Sequence, residues 1–519
     1  MSARGVVAAG HPLTAEAGAT VLREGGNAVD AAIAAVLTSC VTESTLTGLG
    51  AGGYMLIREG TEPVVLDFFV AAPGLDGAER SSELVPIPIY FTPETPQVFH
   101  IGAASCGVPG TPAGLVAAAE RFGSVPLADL AAPAASLARE GVTVNAEQAY
   151  FLELLAPILV HWDEARAIYA PQGGILAAGD RFVFAELGDA IERLGAEGAE
   201  AFYGGDIGAA IVAWVRERGG TLGLDDLGAY EPIARAPVEV SFHGRRVLTN
   251  PPPSSGGILI AYALALLERL GEAGTERIVG AMEAAQAARS EDFLAGLRDE
   301  GFAQRFLDPE RIARAAEQVA TALSVGSGPR PSTDDGLGST THITAVDGDG
   351  GCASVTCSNG TGSGLIVPGT GIHVNNMMGE QDLNPHGFHR HPPGVRMPSM
   401  MSPSLVLLGD ELVAGLGSGG SNRIRSAVLQ TVVRLVVEGQ DVADAVVAPR
   451  VHFEDGAVQA EPGIDEDALE RLSGRGYQVG RWQERNVFFG GVHAVARDPE
   501  SGELRAGGDP RRGGAVAFA

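Results

Sequence analysis

Apolar and polar positions repeat with a helical period through most of the first 325 residues, and with a period of two through much of the rest. Residues 15–24 predict a helix closed by Gly25 and Gly26, and Asn27 with Asp30 three residues on makes a short capping box for a second. Val29, Ala32, Ile33, Val36 and Leu37 form that helix's apolar stripe. Strands follow at 54–58 and 64–69, the latter closed by Ala71-Ala72-Pro73. The loop 106–112 leads into a helix at 113–121, and helical patterns then dominate to about Leu323, broken by a strand at 238–242 and the loop 251–257. The run 326–338 is rich in Gly, Pro, Ser and Asp, and it is the strongest candidate boundary in the chain. Beyond it, 341–346 and 352–356 pair as a hairpin about the turn 347–351. Strands at 404–408 and 412–416 pair about Gly409 and Asp410, and the glycine-rich run 417–422 opens a helix at 423–438.

Composition removes several classes of function. The 519 residues carry a formal charge of -28, which neither nucleic acid nor an anionic membrane attracts. All 36 basic residues are arginine, so Schiff-base catalysis and the lysine-bearing phosphate loop are excluded. Cys40, Cys106, Cys352 and Cys357 have no metal-type spacing and read as buried free thiols of a reducing compartment. The start has no apolar signal region and no later run is long enough to span a bilayer, so a cytoplasmic location is expected. Gly48-x-Gly50-x-x-Gly53 has dinucleotide spacing but follows a helix and precedes a strand, the reverse of that motif. These glycines are expected to let backbone pass close to another element or a substrate.

Thr340 stands where the 326–338 loop enters a strand. Cleavage after Ser339 would place a free amine beside its hydroxyl, the arrangement of an N-terminal threonine nucleophile. From these residues alone a plain strand start is the simpler reading. His386, His389 and His391 suggest a metal, but an HxxHxH loop without acid or thiol partners is a weak zinc signal, and no metal or cofactor is expected. His342 shares a strand face with Thr340 one step farther in and reads as structural. Met377, Met378, Met400 and Met401 read as core or pocket lining.

An ordered set of short motifs spans almost the whole chain. It comprises 11–18, 25–33, Gly107-Val-Pro-Gly-Thr111, 251–257, Thr340-Thr-His342, 368–372 with Asn375-Asn376, Met401-Ser-Pro403, Gly417-Ser-Gly-Gly-Ser421 and Asp509-Pro-Arg511. Together they resemble the γ-glutamyltransferase family of self-cleaving N-terminal-nucleophile hydrolases. The resemblance implies an α+β fold, a four-layer αββα sandwich built from two interleaved fragments, 1–339 and 340–519. It implies cleavage before Thr340, an acyl-Thr340 intermediate, and transfer of the acyl group from a small-molecule amide donor to water or an amine. By position, Ser358 replaces a supporting threonine, and Gly419 and Gly420 match the glycine pair of the oxyanion hole. The fragments would remain associated, with a homodimer possible and neither nucleic acid nor membrane as partner.

The donor site departs from that pattern. Phe69 stands where the family's carboxylate-binding arginine would be, and the serine pair that helps it reads Ser399-Met400. Met377 replaces a polar position, Glu380 falls at the acidic position that binds the donor's amine, and Asn359 is aligned with the family's asparagine. Three explanations stand: Arg396 or Arg423 takes over the clamp, the donor lacks an α-carboxylate, or the chain matures yet does little chemistry. An uncleaved homologue that binds a small molecule is the alternative from another class, and a metal-dependent hydrolase built on the histidine loop is a third.

Overall fold

Strand β1 (Gly5–Ala9) is buried on both faces: Val7 and Ala9 join one apolar cluster, Val6 and Ala8 the other. The computed structural model describes residues 4–60, 62–92, 95–271, 273–325 and 340–519. The 326–338 boundary, and Ser339 on the far side of the proposed cut, lie outside them.

Helix α1 (Pro12–Glu24) ends on Gly25 at φ 99°, and α2 (Ala28–Thr42) opens with the expected Asn27–Asp30 capping box. The apolar stripe expected of α2 proves too narrow: every residue of the helix is buried. Its polar residues return their hydroxyls to helix carbonyls, as Thr38 does to Ala34 and Ser39 to Val36. Strands β2 (Gly52–Arg58), β3 (Val64–Phe68), β4 (Ile233–Arg235), β5 (Val238–Phe242) and β6 (Arg245–Thr249) follow. Helix α3 (Ser255–Leu270) then precedes the hairpin β7 (Thr341–Asp347) and β8 (Cys352–Ser358), paired Thr341↔Cys357 through Val346↔Cys352. Strands β9 (Ser404–Leu408) and β10 (Glu411–Gly419), helix α4 (Arg423–Val436), and strands β11 (Gly491–Arg497), β12 (Leu504–Gly508) and β13 (Ala515–Phe518) complete the frame.

One sheet has seven strands in the order β13-β1-β7-β8-β2-β3-β4, the other six in the order β12-β11-β10-β9-β6-β5. The sheets face each other through β7 and β8 against β10 and β11, with α1 and α2 outside the first and α3 and α4 outside the second. This is the expected αββα sandwich. No helix among the described residues is long and apolar enough to cross a membrane. All four cysteines are free and buried.

Two differences from the sequence reading have physical causes. Strands Val85–Thr92 and Thr95–Ile101 form a separate hairpin whose prolines, Pro86, Pro88 and Pro96, argue against a strand. In a two-stranded ribbon every strand is an edge, which tolerates them. Strand β10 runs on through Gly417 to Gly419, residues expected in the turn before the helix. A Cβ at Gly415 would lie 2.7 Å from Cys352 Sγ, one at Gly417 2.3 Å from the His342 ring, and one at Gly419 2.1 Å from the Thr340 carbonyl oxygen. Glycine at every second position therefore lets the two sheets approach closely beneath the start of β7. The Gly48–Gly53 run does similar work, since a Cβ at Gly50 would sit 2.2 Å from the His373 carbonyl oxygen.

Candidate active site

Thr340 leads into β7 at the centre of the seven-stranded sheet and is 3% exposed. Its hydroxyl donates to Ser358 Oγ over 3.3 Å, and that oxygen also accepts the Gly360 N–H at 3.0 Å. The Thr340 carbonyl accepts from Arg512 Nη1 at 3.2 Å, which fixes the backbone from which the hydroxyl projects. Gly419 abuts the same carbonyl, Gly420 follows at φ 119°, and Ser421 takes φ 49° before α4 begins. A hydroxyl, a supporting hydroxyl and a glycine turn at a helix N-terminus are thereby brought together.

The neighbouring residues of β7 serve the layers. His342 lies between the sheets, with Nδ1 bonded to Thr356 at 2.8 Å and Nε2 to Thr344 at 2.9 Å, and burial holds it well below the usual histidine range. Thr341 points the other way and donates to Glu43, which also accepts the Thr14 hydroxyl at 3.1 Å. Burial pushes the Glu43 carboxyl up to about 7. An acid raised in the folded state contributes most below its unfolded pKa, and that contribution fades as pH rises towards 7. The shift corresponds to about 3 kcal/mol. The difference in melting temperature between Glu43→Gln and the wild type should accordingly be more favourable to the variant at pH 8.5 than at pH 5; a pH-independent difference would show that Glu43 ionises freely.

Beside Thr340 opens a small cleft lined by Phe69, Ser358, Met377, Glu380, Ser399 and Met400 among others. Of the expected donor-site residues, Asn359 alone is not on its wall. Its carboxamide nitrogen donates to the His373 carbonyl at 3.2 Å, and its Oδ1 has no partner among the described residues. Ser399 and Met400 are positioned by the 251–257 loop: Ser254, Ser255 and Gly256 all donate to the Ser399 carbonyl. The Phe69 ring stacks on Tyr54 at 5.5 Å.

Neither candidate arginine lines the cleft. Arg396 pairs with Asp67 at 3.2 Å, donates to the carbonyls of Phe69 and Glu231, and lies 4.5 Å over the Tyr230 ring. Arg423 pairs with Glu454 at 3.1 Å and stacks 4.3 Å from Phe488. The cleft does hold two buried carboxylates, Glu380 and Asp382. Burial, and then Asp382, push the Glu380 carboxyl well up, although it accepts the Thr361 N–H at 3.2 Å. The sequence reading assigned no role to Asp382 or to Ser421, which closes the Gly417–Ser421 motif; their closeness in sequence to Glu380 and to the glycine pair was the available signal.

In the histidine loop, His391 Nε2 meets the Leu383 carbonyl at 2.9 Å, while His386 is exposed. Among the described residues no group of three or more His, Cys, Asp or Glu side chains could hold a metal ion.

An αββα sandwich with such a threonine at the head of a central strand defines the class of N-terminal-nucleophile hydrolases. Within that class the chain belongs to the gamma-glutamyltranspeptidase family, whose model matches residues 14–519. It is 33% identical over 515 residues to an acylase ACY 1 proenzyme of Pseudomonas sp. (strain V22), covering 96% of this chain and 90% of that one. It is 31% identical over 542 residues to the glutathione hydrolase proenzyme of Escherichia coli (strain K12), covering 98% and 90%. A cephalosporin acylase from Bacillus halodurans superposes with a TM-score of 0.85 at 26% identity, covering 99% of this chain and 96% of that one. The chain is thus an amidohydrolase or acyltransferase of a family that matures into two fragments and passes an acyl group to water or an amine.

Proposed function

We propose that the mature enzyme is an acylase for amide donors without an α-carboxylate. Thr340 is its nucleophile and the amine freed by cleavage its base. Ser358 orients the hydroxyl, and the turn at Gly419 and Gly420 stabilises the oxyanion. The observation that carries the donor reading is the wall of the cleft. Phe69 and Met400 make it apolar where the resemblance places a carboxylate clamp, Arg396 and Arg423 are engaged elsewhere, and Glu380 and Asp382 supply negative charge. Beside these acidic groups an ammonium is favoured over a carboxylate. The names of two relatives, an acylase ACY 1 proenzyme and a cephalosporin acylase, agree with a donor other than a γ-glutamyl compound.

Four 4-nitroanilides test this on processed enzyme: γ-glutamyl, 4-aminobutanoyl (carboxylate removed), glutaryl (amine removed) and butanoyl (both removed). The 4-aminobutanoyl donor should exceed the γ-glutamyl donor in kcat/KM by at least about 100-fold, equivalent to roughly 2.7 kcal/mol. Glutathione and the glutaryl donor should be poor. Rapid, saturable turnover of the γ-glutamyl anilide at micromolar KM would refute the reading.

A further inference from the structure

Among the described residues five arginines are buried, and four of them pair with a carboxylate: Arg396 with Asp67, Arg423 with Glu454, Arg450 with Asp509 and Arg511 with Glu461. The fifth, Arg512, has no ion pair among those residues. The single turn Pro510–Arg512 delivers it to the head of β7, where Nη1 donates to the Thr340 carbonyl at 3.2 Å. Neither Nε nor Nη2 has a hydrogen-bond partner among the described residues. Burial lowers the guanidinium to about 10, so it stays charged at neutral pH. A buried charge is costly without an opposite partner. With Nη1 engaged, the remaining edge is Nε–Nη2, on which a guanidinium takes a carboxylate through two parallel hydrogen bonds.

This charge borders a cavity on the side of β7 that faces α2. His11 at the N-cap of α1, Glu43 at the end of α2, Asn145, Gln148 and Phe151 line it with Arg512. None of its lining residues also lines the donor cleft. The cavity, about 30 Å³, has room for a group of about three heavy atoms, since one water needs about 10–15 Å³. The Phe151 ring covers the guanidinium at 5.6 Å. His11 Nδ1 accepts the Leu13 N–H at 3.1 Å, and burial lowers the imidazole to about 4, so the ring's one proton sits on Nε2 as a further donor.

The acidic groups nearby differ in what they do with pH. Against burial, Arg450 and Arg511 hold Asp509 at about 2, a fixed charge already paired. Burial raises the Tyr150 phenol, which stays neutral, and Glu147 lies at the exposed mouth. Glu43, which burial pushes up to about 7, makes no ion pair with Arg512; the Thr341 and Thr14 hydroxyls hold its carboxyl instead.

We propose that Arg512 and this cavity form a binding site for small carboxylates, apart from the donor cleft, and that the proton on Glu43 sets its affinity. The ligand takes the Nε–Nη2 edge; protonated Glu43 admits it and ionised Glu43 repels it. Because the same guanidinium holds the Thr340 carbonyl, the occupant steadies the start of β7. The inference does not depend on which amide the cleft takes.

Acetate is the probe, titrated calorimetrically into processed wild type, Arg512→Gln and Glu43→Gln. Ionic strength is held constant with sodium chloride, so that the response reports a carboxylate and not screening. Wild type should bind one acetate at pH 6 with a millimolar dissociation constant, and Arg512→Gln should weaken this by at least about tenfold. Glu43→Gln should match wild type within about twofold at pH 6, and bind at least about fivefold tighter than wild type at pH 8.5, where wild-type Glu43 is ionised. The amine freed at Thr340 is common to both proteins and cancels in that comparison. Should Arg512→Gln fail to mature, the Glu43→Gln comparison at pH 8.5 carries the test. Wild type that ignores acetate in the chloride background, Arg512→Gln that binds it as well as wild type, or Glu43→Gln that binds no tighter at pH 8.5 would each overturn the site.

Discussion

Thr340→Ala is expected to yield one uncut chain of 519 residues with amide turnover reduced by about 10⁴- to 10⁶-fold, the range seen when a nucleophile is deleted from an acyl-transfer site. Both losses have one origin. In the proposed mechanism the hydroxyl that attacks the bond after Ser339 is the hydroxyl that later carries the acyl group. Among the described residues nothing at the site replaces it: Ser358 Oγ already receives the Gly360 N–H, and His342 is bonded between the sheets. Because alanine fits within the space of threonine, the sandwich should fold unchanged, and circular dichroism should match the wild type. A denaturing gel checks the outcome directly. Two bands from the alanine variant would place the cleavage chemistry elsewhere.

Gly419→Ala should have the next largest effect, at least about 10³-fold in kcat. The added Cβ would lie 2.1 Å from the Thr340 carbonyl oxygen and 3.1 Å from the Arg512 nitrogen that holds it. Both neighbours belong to the nucleophile's backbone support, so the methyl must move the start of β7 or part the two sheets. Losing one oxyanion donor costs 10²- to 10³-fold, and a misplacement of about 1 Å can add a further 10²-fold. Slower appearance of the two fragments should accompany the fall, because cleavage uses the same geometry. A variant that matures normally with kcat within tenfold of wild type would show that the close approach at Gly419 is not used in the reaction.

How much of this was legible in the sequence depends on the range of the interactions involved. Local chemistry could be read directly: the Asn27–Asp30 capping box and the hairpin about residues 347–351 both form where expected. Elements buried on both faces lost their periodicity. Residues 5–9 read Gly-Val-Val-Ala-Ala because β1 lies between two apolar layers, which leaves no polar face to alternate with. The glycines of β10 read as turn because their purpose is the absence of side chains against a second sheet, which no window along one strand reveals.

The candidate site divides along the same line. Ordered motifs located Thr340, Ser358 and the glycine pair, and the structure gathers them at one point. Whether Arg396 or Arg423 could serve as the carboxylate clamp that the resemblance leads one to expect was undecidable in one dimension, since their partners Asp67 and Glu454 are neighbours only in the folded chain. The hydrogen bond that Ser421 donates to Asp382 is equally tertiary.

Mass spectrometry of the small fragment, trapped with acid during turnover of the 4-aminobutanoyl anilide, examines the decisive covalent event. A fragment beginning at Thr340 and heavier by one 4-aminobutanoyl group, with the added mass on residue 340, is the predicted result. Steady release of nitroaniline from protein whose residue 340 stays unmodified, or remains internal to an uncut chain, would contradict it.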